Sequence, residues 1–220
     1  DSTDDLFTGG PTQATLDYDS TVSPGTDVTA DGFDEVYAYA DNGGTDAAVL
    51  NGASSSTGKF YGLSTYGYYK ANDSSFYNYA RGFDTLLANA GSSTDYAYLY
   101  GSDGNDTLNA DSNSTAFSLV PTSTPAVVNT AAAFDHVYTY ASGGGTDKAY
   151  LDGTTGADTF TGDTDWGYLR STGTSDYFNY VRYFDEVYAD PGDTTVGNDD
   201  LNDLGVTYTL DSTPGNGNVW

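Results

Sequence analysis

Apolar and polar residues alternate along most of the chain in short segments. Residues 33–40 read FDEVYAYA, and the alternation puts Val36 and Ala38 on one face and Tyr37 and Tyr39 on the other. Gly, Asp, Ser and Thr separate the segments, and these residues favour turns. No segment has the 3.6-residue period of an amphipathic helix over a useful length. The pattern predicts an all-β protein with about five short strands in every 50 residues or so.

The same sequence motif recurs along the chain. A Phe-Asp pair begins at Phe33, Phe83, Phe134 and Phe184, so the steps are 50, 51 and 50 residues. Alternate copies are the most similar, because distinctive residues are matched after 100 or 101 positions. The cation Lys70, for example, is matched by the cation Arg170. A fixed period of this length is typical of stacked repeats. The larger unit is therefore about 101 residues long.

The repeats divide the chain into six segments. They are a partial repeat at 1–32, full repeats at 33–82, 83–133 and 134–183, a shortened repeat at 184–200, and an extra strand with a tail at 201–220. On this division the chain starts inside one repeat and ends inside another.

Two architectures accommodate these strands. One is a β-solenoid, in which equivalent strands stack coil on coil and small inward residues such as Ala48, Leu50, Ala97 and Leu99 fill a narrow core. The other is a pair of tandem antiparallel β-sandwich domains of about 101 residues each. The matching half-repeats favour the solenoid, because a sandwich does not need its two halves to match.

The charge is strongly acidic. The chain has 6 basic and 32 acidic residues and a net charge of -26, and Glu35 and Glu186 are its only glutamates. Asp favours turns and local backbone hydrogen bonds, which agrees with an all-β chain. Such a field repels nucleic acid and anionic membranes and attracts cations. With no Cys and no apolar run of about 18 residues, we expect no thiol chemistry, no nucleic-acid partner and no membrane insertion.

The sequence predicts no active site. The sole histidine, His136, occupies a position that Glu35, Thr85 and Glu186 fill in the other repeats. A Ser-His-Asp arrangement could only be built on this one replaceable residue. Carboxylate pairs are common, but they recur as features of the repeat, whereas a glycosidase pair should differ from its repeats. We expect a protein that is not an enzyme and has no catalytic cofactor.

Two segments offer a candidate calcium site. Residues 101–108 (GSDGNDTL) and 153–160 (GTTGADTF) resemble the G-G-x-G-x-D-x-L nonapeptide of hemolysin-type calcium-binding repeats. The resemblance implies that Ca²⁺ is bound by Asp103, Asn105, Asp106, Asp158 and Asp199 through hard oxygen ligands. The motif occurs once per repeat instead of in tandem, and Lys59 stands at the Asp-Thr position of the first copy. The alternative is that these residues form Asp/Gly turns before a strand.

Recurrent Asp residues have a structural interpretation. Those after Phe (Asp34, Asp84, Asp135, Asp185) and those of the T-D-x-A-x-L strand (Asp46, Asp95, Asp147) are predicted to accept backbone N–H groups at corners. Cations that recur at matched positions, Lys70/Arg170 and Arg81/Arg182, are predicted to pair with such Asp residues.

Other surface features bear on partners. Asn72, Asn105 and Asn113 begin N-glycosylation sequons. The outward tyrosines predict a face that binds surface glycans or contacts a second subunit.

The repeated motif FDxVxAxA…GGTDxAxL…GxDTF resembles the tandem repeats of very large secreted or cell-surface proteins of planctomycete-type bacteria. The resemblance covers nearly the whole chain. The resemblance implies an extracellular structural or adhesive role at the cell surface. The leading hypothesis is therefore a subunit of a self-assembling fibre or surface layer, a head-to-tail homopolymer formed by strand addition. The joint would bring the C-terminal strand against the first coil, with the contact residues Val206, Tyr208 and Leu210 on one side and Leu6, Phe7 and Leu16 on the other. The alternative is a calcium-stabilised adhesion or glycan-binding module of a giant cell-surface protein.

Overall fold

The structure is a computed structural model that describes residues 3–18, 28–40, 43–122, 125–171, 177–190, 192, 200–203 and 209–211. Its strands are β1 (Leu6–Gly9), β2 (Gln13–Asp17), β3 (Val28–Asp31), β4 (Glu35–Tyr39), β5 (Ala47–Asn51), β6 (Gly58–Gly62), β7 (Tyr66–Ala71), β8 (Tyr77–Arg81), β9 (Thr85–Asn89), β10 (Tyr96–Tyr100), β11 (Thr107–Ala110), β12 (Ser114–Leu119), β13 (Val127–Ala132), β14 (His136–Tyr140), β15 (Lys148–Asp152), β16 (Asp158–Asp163), β17 (Trp166–Ser171), β18 (Phe178–Arg182), β19 (Glu186–Asp190), β20 (Asp200–Asp203) and β21 (Thr209–Asp211).

The strands form two long sheets. Sheet A has 11 strands in the order β21-β19-β15-β11-β12-β13-β9-β5-β1-β2-β3, and sheet B has 10 in the order β20-β16-β17-β18-β14-β10-β6-β7-β8-β4. No helix occurs in the described ranges, which confirms the all-β prediction. Both sheets continue through both 101-residue units, so the chain does not divide into two tandem sandwiches. It forms one solenoid-like stack of two layers.

The path of the chain explains the double period of the sequence. Three consecutive strands form an antiparallel meander in one sheet, as β6, β7 and β8 do in sheet B. The chain then crosses to sheet A for β9, returns to sheet B for β10, and crosses again for the next meander, β11 to β13. An odd number of crossings places successive meanders in opposite sheets. Alternate repeats therefore share a sheet, and they resemble each other most.

The parallel pairing differs from simple coil-on-coil stacking of equivalent strands. β5, a T-D-x-A-x-L strand, pairs with β9, a Phe-Asp strand, in the register Ala48↔Leu86 and Leu50↔Ala88. The four strands β6, β10, β14 and β18 likewise come from four different positions of the repeat. The expectation that equivalent strands lie side by side was wrong, because three of every five strands are used in the antiparallel meanders. Adjacent strands share only the alternation of buried and outward side chains.

The core lies between the two sheets and is narrow. In β10 the alternate residues Ala97 and Leu99 are buried, as predicted, while Tyr96 and Tyr98 are half-buried on the outer side. Three phenylalanines of the Phe-Asp pairs, Phe83, Phe134 and Phe184, are buried at the corners, and Phe134 packs against aromatic rings of sheet B. Small inward residues such as Ala97 alternate with Leu and with fully buried rings such as Phe60, Phe117 and Tyr69, which fill the space between the sheets.

A recurrent asparagine bridges the two sheets through the core. The side-chain amides of Asn78, Asn129 and Asn179 each donate to a backbone carbonyl in a turn of the opposite sheet, all at 3.0 Å. Gly9 and Gly62 face two of these amides, and a Cβ atom at either glycine would lie within about 3 Å of the asparagine side chain. The glycines therefore make room for the bridges. Because the amide groups are buried, the bridges fix the relative position of the sheets.

We predict that Asn78→Ala lowers the free energy of unfolding by about 2 kcal/mol, because it leaves the carbonyl of Gly10 without its amide donor and opens a cavity beside Gly9. Chemical denaturation followed by circular dichroism measures the change. Asn109→Ala, at an exposed position of β11, is the matched control and should change the unfolding free energy by less than about 0.5 kcal/mol. Equal effects of the two substitutions would contradict the bridging role.

Candidate binding surface on the tyrosine-rich sheet

The outer side of sheet B carries an unbroken row of tyrosines. One tyrosine stands at the same register on each of eight adjacent strands, from β4 at the end of the sheet to β17. In sheet order they are Tyr37, Tyr79, Tyr68, Tyr61, Tyr98, Tyr138, Tyr180 and Tyr168. We call the outer surface of these eight strands the tyrosine face. Seven steps of about 4.8 Å give the row a length of roughly 34 Å.

The rings at the centre of the row stack on one another, while those toward its ends are tilted. Ring centroids lie 4.7 Å apart for Tyr61 and Tyr68, 5.0 Å for Tyr61 and Tyr98, and 5.3 Å for Tyr98 and Tyr138, with interplanar angles of 16° or 17°. Side chains stand nearly perpendicular to a sheet, so rings stacked in this way turn their faces to neighbouring strands. Their edges and hydroxyl groups point to solvent. The centre of the row thus presents phenolic O–H groups instead of open ring faces.

The hydroxyl groups of Tyr68, Tyr77, Tyr98 and Tyr138 on this face remain protonated at any ordinary pH. Burial among neighbouring rings, with a smaller contribution from adjacent tyrosines, raises the pKa of Tyr68 and of Tyr77 to about 12. The same causes raise the pKa of Tyr98 and Tyr138. A protonated hydroxyl can both donate and accept a hydrogen bond.

The cations of this acidic chain are concentrated on the tyrosine face. Five of the 6 basic residues lie there, each two positions from a tyrosine of the row and so on the same side of its strand. They are Lys59, Lys70, Arg81, Arg170 and Arg182. The only acid at an outward position of these eight strands is Glu35, in the end strand β4. The face is therefore net positive on a chain whose net charge is -26.

These cations are not paired with recurring Asp residues as the sequence suggested. Lys70 Nζ lies 5.6 Å from the ring centre of Tyr61, and the guanidinium of Arg170 lies 5.8 Å from that of Tyr168. Only Arg182 forms an ion pair with a described carboxylate, that of Asp165 at 3.1 Å. The sixth cation of the chain, on sheet A, has its own partner, Glu186.

The candidate calcium ligands Asp106 and Asp158 are buried corner acceptors. Asp106 accepts hydrogen bonds from the backbone N–H and hydroxyl of Ser102 and from the N–H of Val120. Asp158 accepts from the N–H and hydroxyl of Thr154 and from the hydroxyl of a nearby tyrosine. A carboxylate facing several donors has few lone pairs left for a cation. These two residues do not fit a calcium ion.

The other candidate ligands do not complete a site either. Asp103 accepts from the N–H and hydroxyl of Thr122, and the Asn105 carbonyl oxygen accepts from the N–H of Thr146. Asp199 lies outside the described residues. Across the part of the chain that the structure describes, no three His, Cys, Asp or Glu side chains converge as a metal site would require. Calcium binding stays a prediction from the resemblance alone.

Aspartates instead connect neighbouring coils along one corner of the stack. The N–H of Asp5 donates to Oδ1 of Asp46, and the N–H of Asp46 donates to Oδ2 of Asp84, both at 2.8 Å. The second unit repeats this ladder, from Asp106 to Asp147 and on to Asp185, with the same distances. The predicted role of the recurrent Asp residues as corner acceptors is confirmed at these positions. We call this arrangement the aspartate ladder.

The residues predicted for end-to-end contact are mostly internal. β1, which contains Leu6 and Phe7, lies between β2 and β5, and Leu16 in β2 pairs with Val28 of β3. Leu210 in β21 pairs with Val187 of its own chain. Val206 and Tyr208 lie outside the described residues. At the end of the stack nearest β1, the last strand of sheet A is β3 and the last strand of sheet B is β4.

The three sequons lie on exposed turns, where Asn72, Asn105 and Asn113 are all accessible. His136 lies on the tyrosine face, with its ring 5.1 Å from that of Tyr96. No described helix has the length and apolar character needed to cross a membrane.

Sequence reasoning identified the outward tyrosines but missed the cations among them. The signal was present, because each cation stands two residues from a tyrosine of a strand, as in Tyr68–Lys70 and Tyr79–Arg81. A spacing of two puts both side chains on the same face. What the spacing could not give is the order of strands, which assembles one face from distant segments.

Comparison of the chain with protein-family models, with curated proteins and with solved structures finds no match.

The aspartate ladder predicts an acid-stabilised fold. Burial raises the pKa of Asp147 to about 6, and it also raises that of Asp46. Between roughly pH 4 and 6 the folded chain holds protons that the unfolded chain has lost, so stability falls as pH rises through this window. Urea unfolding at pH 5 and pH 7.5 should give the higher midpoint at pH 5.

Asp147→Asn tests the source of this dependence, because its amide oxygen can still accept the N–H of Asp106 without carrying a charge. The variant should be more stable than the wild type at pH 7.5 and lose stability less steeply between pH 5 and 7.5. Asp73→Asn is the control, since Ser75 lowers the pKa of the exposed Asp73 and its titration lies below the window. An unchanged slope in Asp147→Asn would refute the assignment.

Proposed function

We propose that this chain is an extracellular structural repeat protein that lengthens by end-to-end stacking of its two sheets, as a head-to-tail fibre or surface layer. The observation that carries the proposal is a joint that already exists inside the molecule. If strands β1–β10 are taken as one unit and β11–β20 as the next, the two units meet where β9 pairs with β13 and β10 pairs with β14, both in parallel. In sheet B, the equivalents of β10 and β14 form the two ends of the stack, as β20 and β4.

The internal joint provides a template for a contact between copies. One unit later, β19 and β20 are the equivalents of β9 and β10, and β3 and β4 are the equivalents of β13 and β14. A neighbouring copy could therefore add its β4 to β20 by the pairing that joins β10 to β14. In sheet A, β21 already pairs with β19 in the position that β13 takes beside β9. There the neighbour's β3 would meet β21.

Exposed apolar side chains at one end support this proposal. Phe33 is 63 % exposed, whereas its equivalent Phe134 is 6 % exposed because it packs on Phe60 and Tyr69 of the preceding unit. Val28 and Tyr39 are also more than half exposed. An end surface with this composition resembles the inside of a joint.

The edge of β4 also has unpaired backbone groups. The C=O of Asp34 accepts from Tyr77 of β8, and the N–H of Ala40 donates to Arg81 at the other end of the same pair of strands. By alternation, the N–H and C=O groups of Glu35, Tyr37 and Tyr39 point away from β8. In the described part of the chain, β4 has no strand on that side. Strand addition would satisfy these groups.

The alternative function is an adhesion or glycan-binding module of a larger surface protein. Its support is the tyrosine face, which end-to-end stacking does not cover. The calcium dependence attached to this alternative has no support from the candidate ligands Asp103, Asp106 and Asp158, whose carboxylates accept from N–H and O–H donors.

We expect the wild-type chain to form filaments in electron micrographs and to sediment with a mass that grows with concentration, in EDTA as well as without it. Tyr37→Pro should remain monomeric, because it deletes an N–H of the open edge without removing a hydrogen bond to β8. Tyr37→Thr is the matched control, since it keeps the N–H while also losing the ring, and it should assemble.

Two results would count against the proposal. A wild-type chain that stays monomeric at all concentrations would exclude assembly in trans. Loss of the fold in EDTA would favour the calcium-stabilised module instead.

A further inference from the structure

We propose that the tyrosine face binds an extended anionic polysaccharide, one that carries carboxylate or sulfate groups among many hydroxyls. This property goes beyond the proposed assembly and does not depend on it, because the tyrosine face is an outer surface and the joint lies at the ends of the sheets.

Charge complementarity is the first argument. The eight strands of the tyrosine face present five cations and one acid, and that acid accepts a hydrogen bond from Tyr37 at the end of the row. Lys59, Lys70, Arg81 and Arg170 form no ion pair with any described carboxylate. In a chain with 32 acidic residues, cations that gather on one surface without a described carboxylate beside them indicate a partner that supplies the negative charge.

Two lysines of this set oppose each other directly. Lys59 on β6 and Lys70 on β7 are cross-strand partners in the antiparallel register. Like charges at such positions are destabilising. An anionic group placed between the two ammonium groups would remove the repulsion, so the site gains more from an anion than a single exposed lysine would.

The tyrosines determine what kind of anion fits. The stacked rings expose their edges, which carry the positive end of the ring quadrupole, and their protonated hydroxyls. This surface offers hydrogen bonds to the hydroxyl and ring oxygens of a sugar along the whole row. It offers little ring face for stacking, because neighbouring rings cover the faces at the centre of the row.

The spacing of the cations favours a polysaccharide over a nucleic acid. Arg81 and Lys70 flank the tyrosine row on opposite sides, and Arg182 and Arg170 repeat this arrangement five strands further along, about 24 Å away. A nucleic-acid strand carries a charge about every 3.4 Å, so most of its phosphates would face tyrosines. Binding of single strands also relies on bases stacking on open aromatic faces. A hydroxyl-rich chain with sparser charge matches this surface better.

The direction of the row sets the direction of the ligand. The tyrosines follow one another across the strands, so a bound chain would lie perpendicular to the strands and along the axis of the stack. The row spans roughly 34 Å, and end-to-end stacking would extend the same face from copy to copy. Affinity should therefore rise with the length of the oligosaccharide up to about that span.

The test measures binding of the full chain by isothermal titration calorimetry to two anionic probes, polygalacturonate and dextran sulfate. The matched neutral probes are fully methyl-esterified polygalacturonate and dextran, which keep the backbone and lose the charge. We expect saturable binding to at least one anionic probe and at least tenfold weaker binding to its neutral counterpart.

Variants then locate the site. Lys59→Gln with Lys70→Gln should weaken binding about tenfold, the size expected for loss of two exposed ion pairs, and should not impair folding because it removes a like-charge contact. Lys148→Gln, on sheet A, is the matched control and should bind normally. Tyr98→Phe removes one hydroxyl from the centre of the row and should weaken binding, whereas Tyr150→Phe, in the stacked Tyr150–Tyr188 pair of sheet A, should not.

Several outcomes would overturn the proposal. They are no binding to either anionic probe, equal binding to the neutral probes, or binding that the paired lysine substitutions leave unchanged. Tighter binding of poly(dT) than of the polysaccharides would assign the face to nucleic acid. If polysaccharide binding were lost only when the protein is diluted to a monomer, the tyrosine face would be assigned to contact between chains. Failure of any of these measurements leaves the assembly joint untouched, because that joint uses β4 and β20.

Discussion

The stack depends on what happens at its corners. Each time the chain passes from one sheet to the other, backbone N–H groups leave the ladder of the sheet and would be buried without a partner. Aspartate side chains accept these N–H groups, and those of the aspartate ladder reach from one coil to the next. The short side chain of Asp keeps its carboxylate close to the backbone, which explains why 30 of the 32 acids are Asp, Glu35 and Glu186 being the exceptions.

The corners have an energetic cost that shapes the rest of the molecule. A buried carboxylate is stable only where donors surround it, and burial still raises the pKa of Asp147. The acids are therefore placed where they serve the backbone, and the cations lie elsewhere. Because the inward residues of both sheets are mostly apolar, the outer surfaces are where the two sheets differ. Sheet B collects the tyrosines with Lys59, Lys70 and the arginines, and this separation gives an acidic chain one basic face.

Because each repeat crosses between the sheets an odd number of times, successive repeats contribute their meanders to opposite sheets, and the two sheets have different outer surfaces. Meanders rich in tyrosine, such as β6 to β8, fall in sheet B, while meanders rich in Ala, Thr and Ser, such as β11 to β13, fall in sheet A. A chain with an even number of crossings would place every meander on the same side. End-to-end growth and a continuous binding face are thus compatible, since both run along the axis of the stack.

The sequence by itself determined the all-β class, the repeat period, which residues of strands such as β10 are buried, and the corner role of aspartates such as Asp84 and Asp185. These features follow from local alternation and from turn chemistry, which act within a few residues. Only the tertiary structure decided which strands are neighbours. The partner of β5 is β9 and not its own repeat equivalent, because the meanders use three strands of every five, and no local pattern encodes that choice. The same choice brought Tyr61, Tyr98 and Tyr138 into one row, since their contacts join segments that lie far apart in the chain.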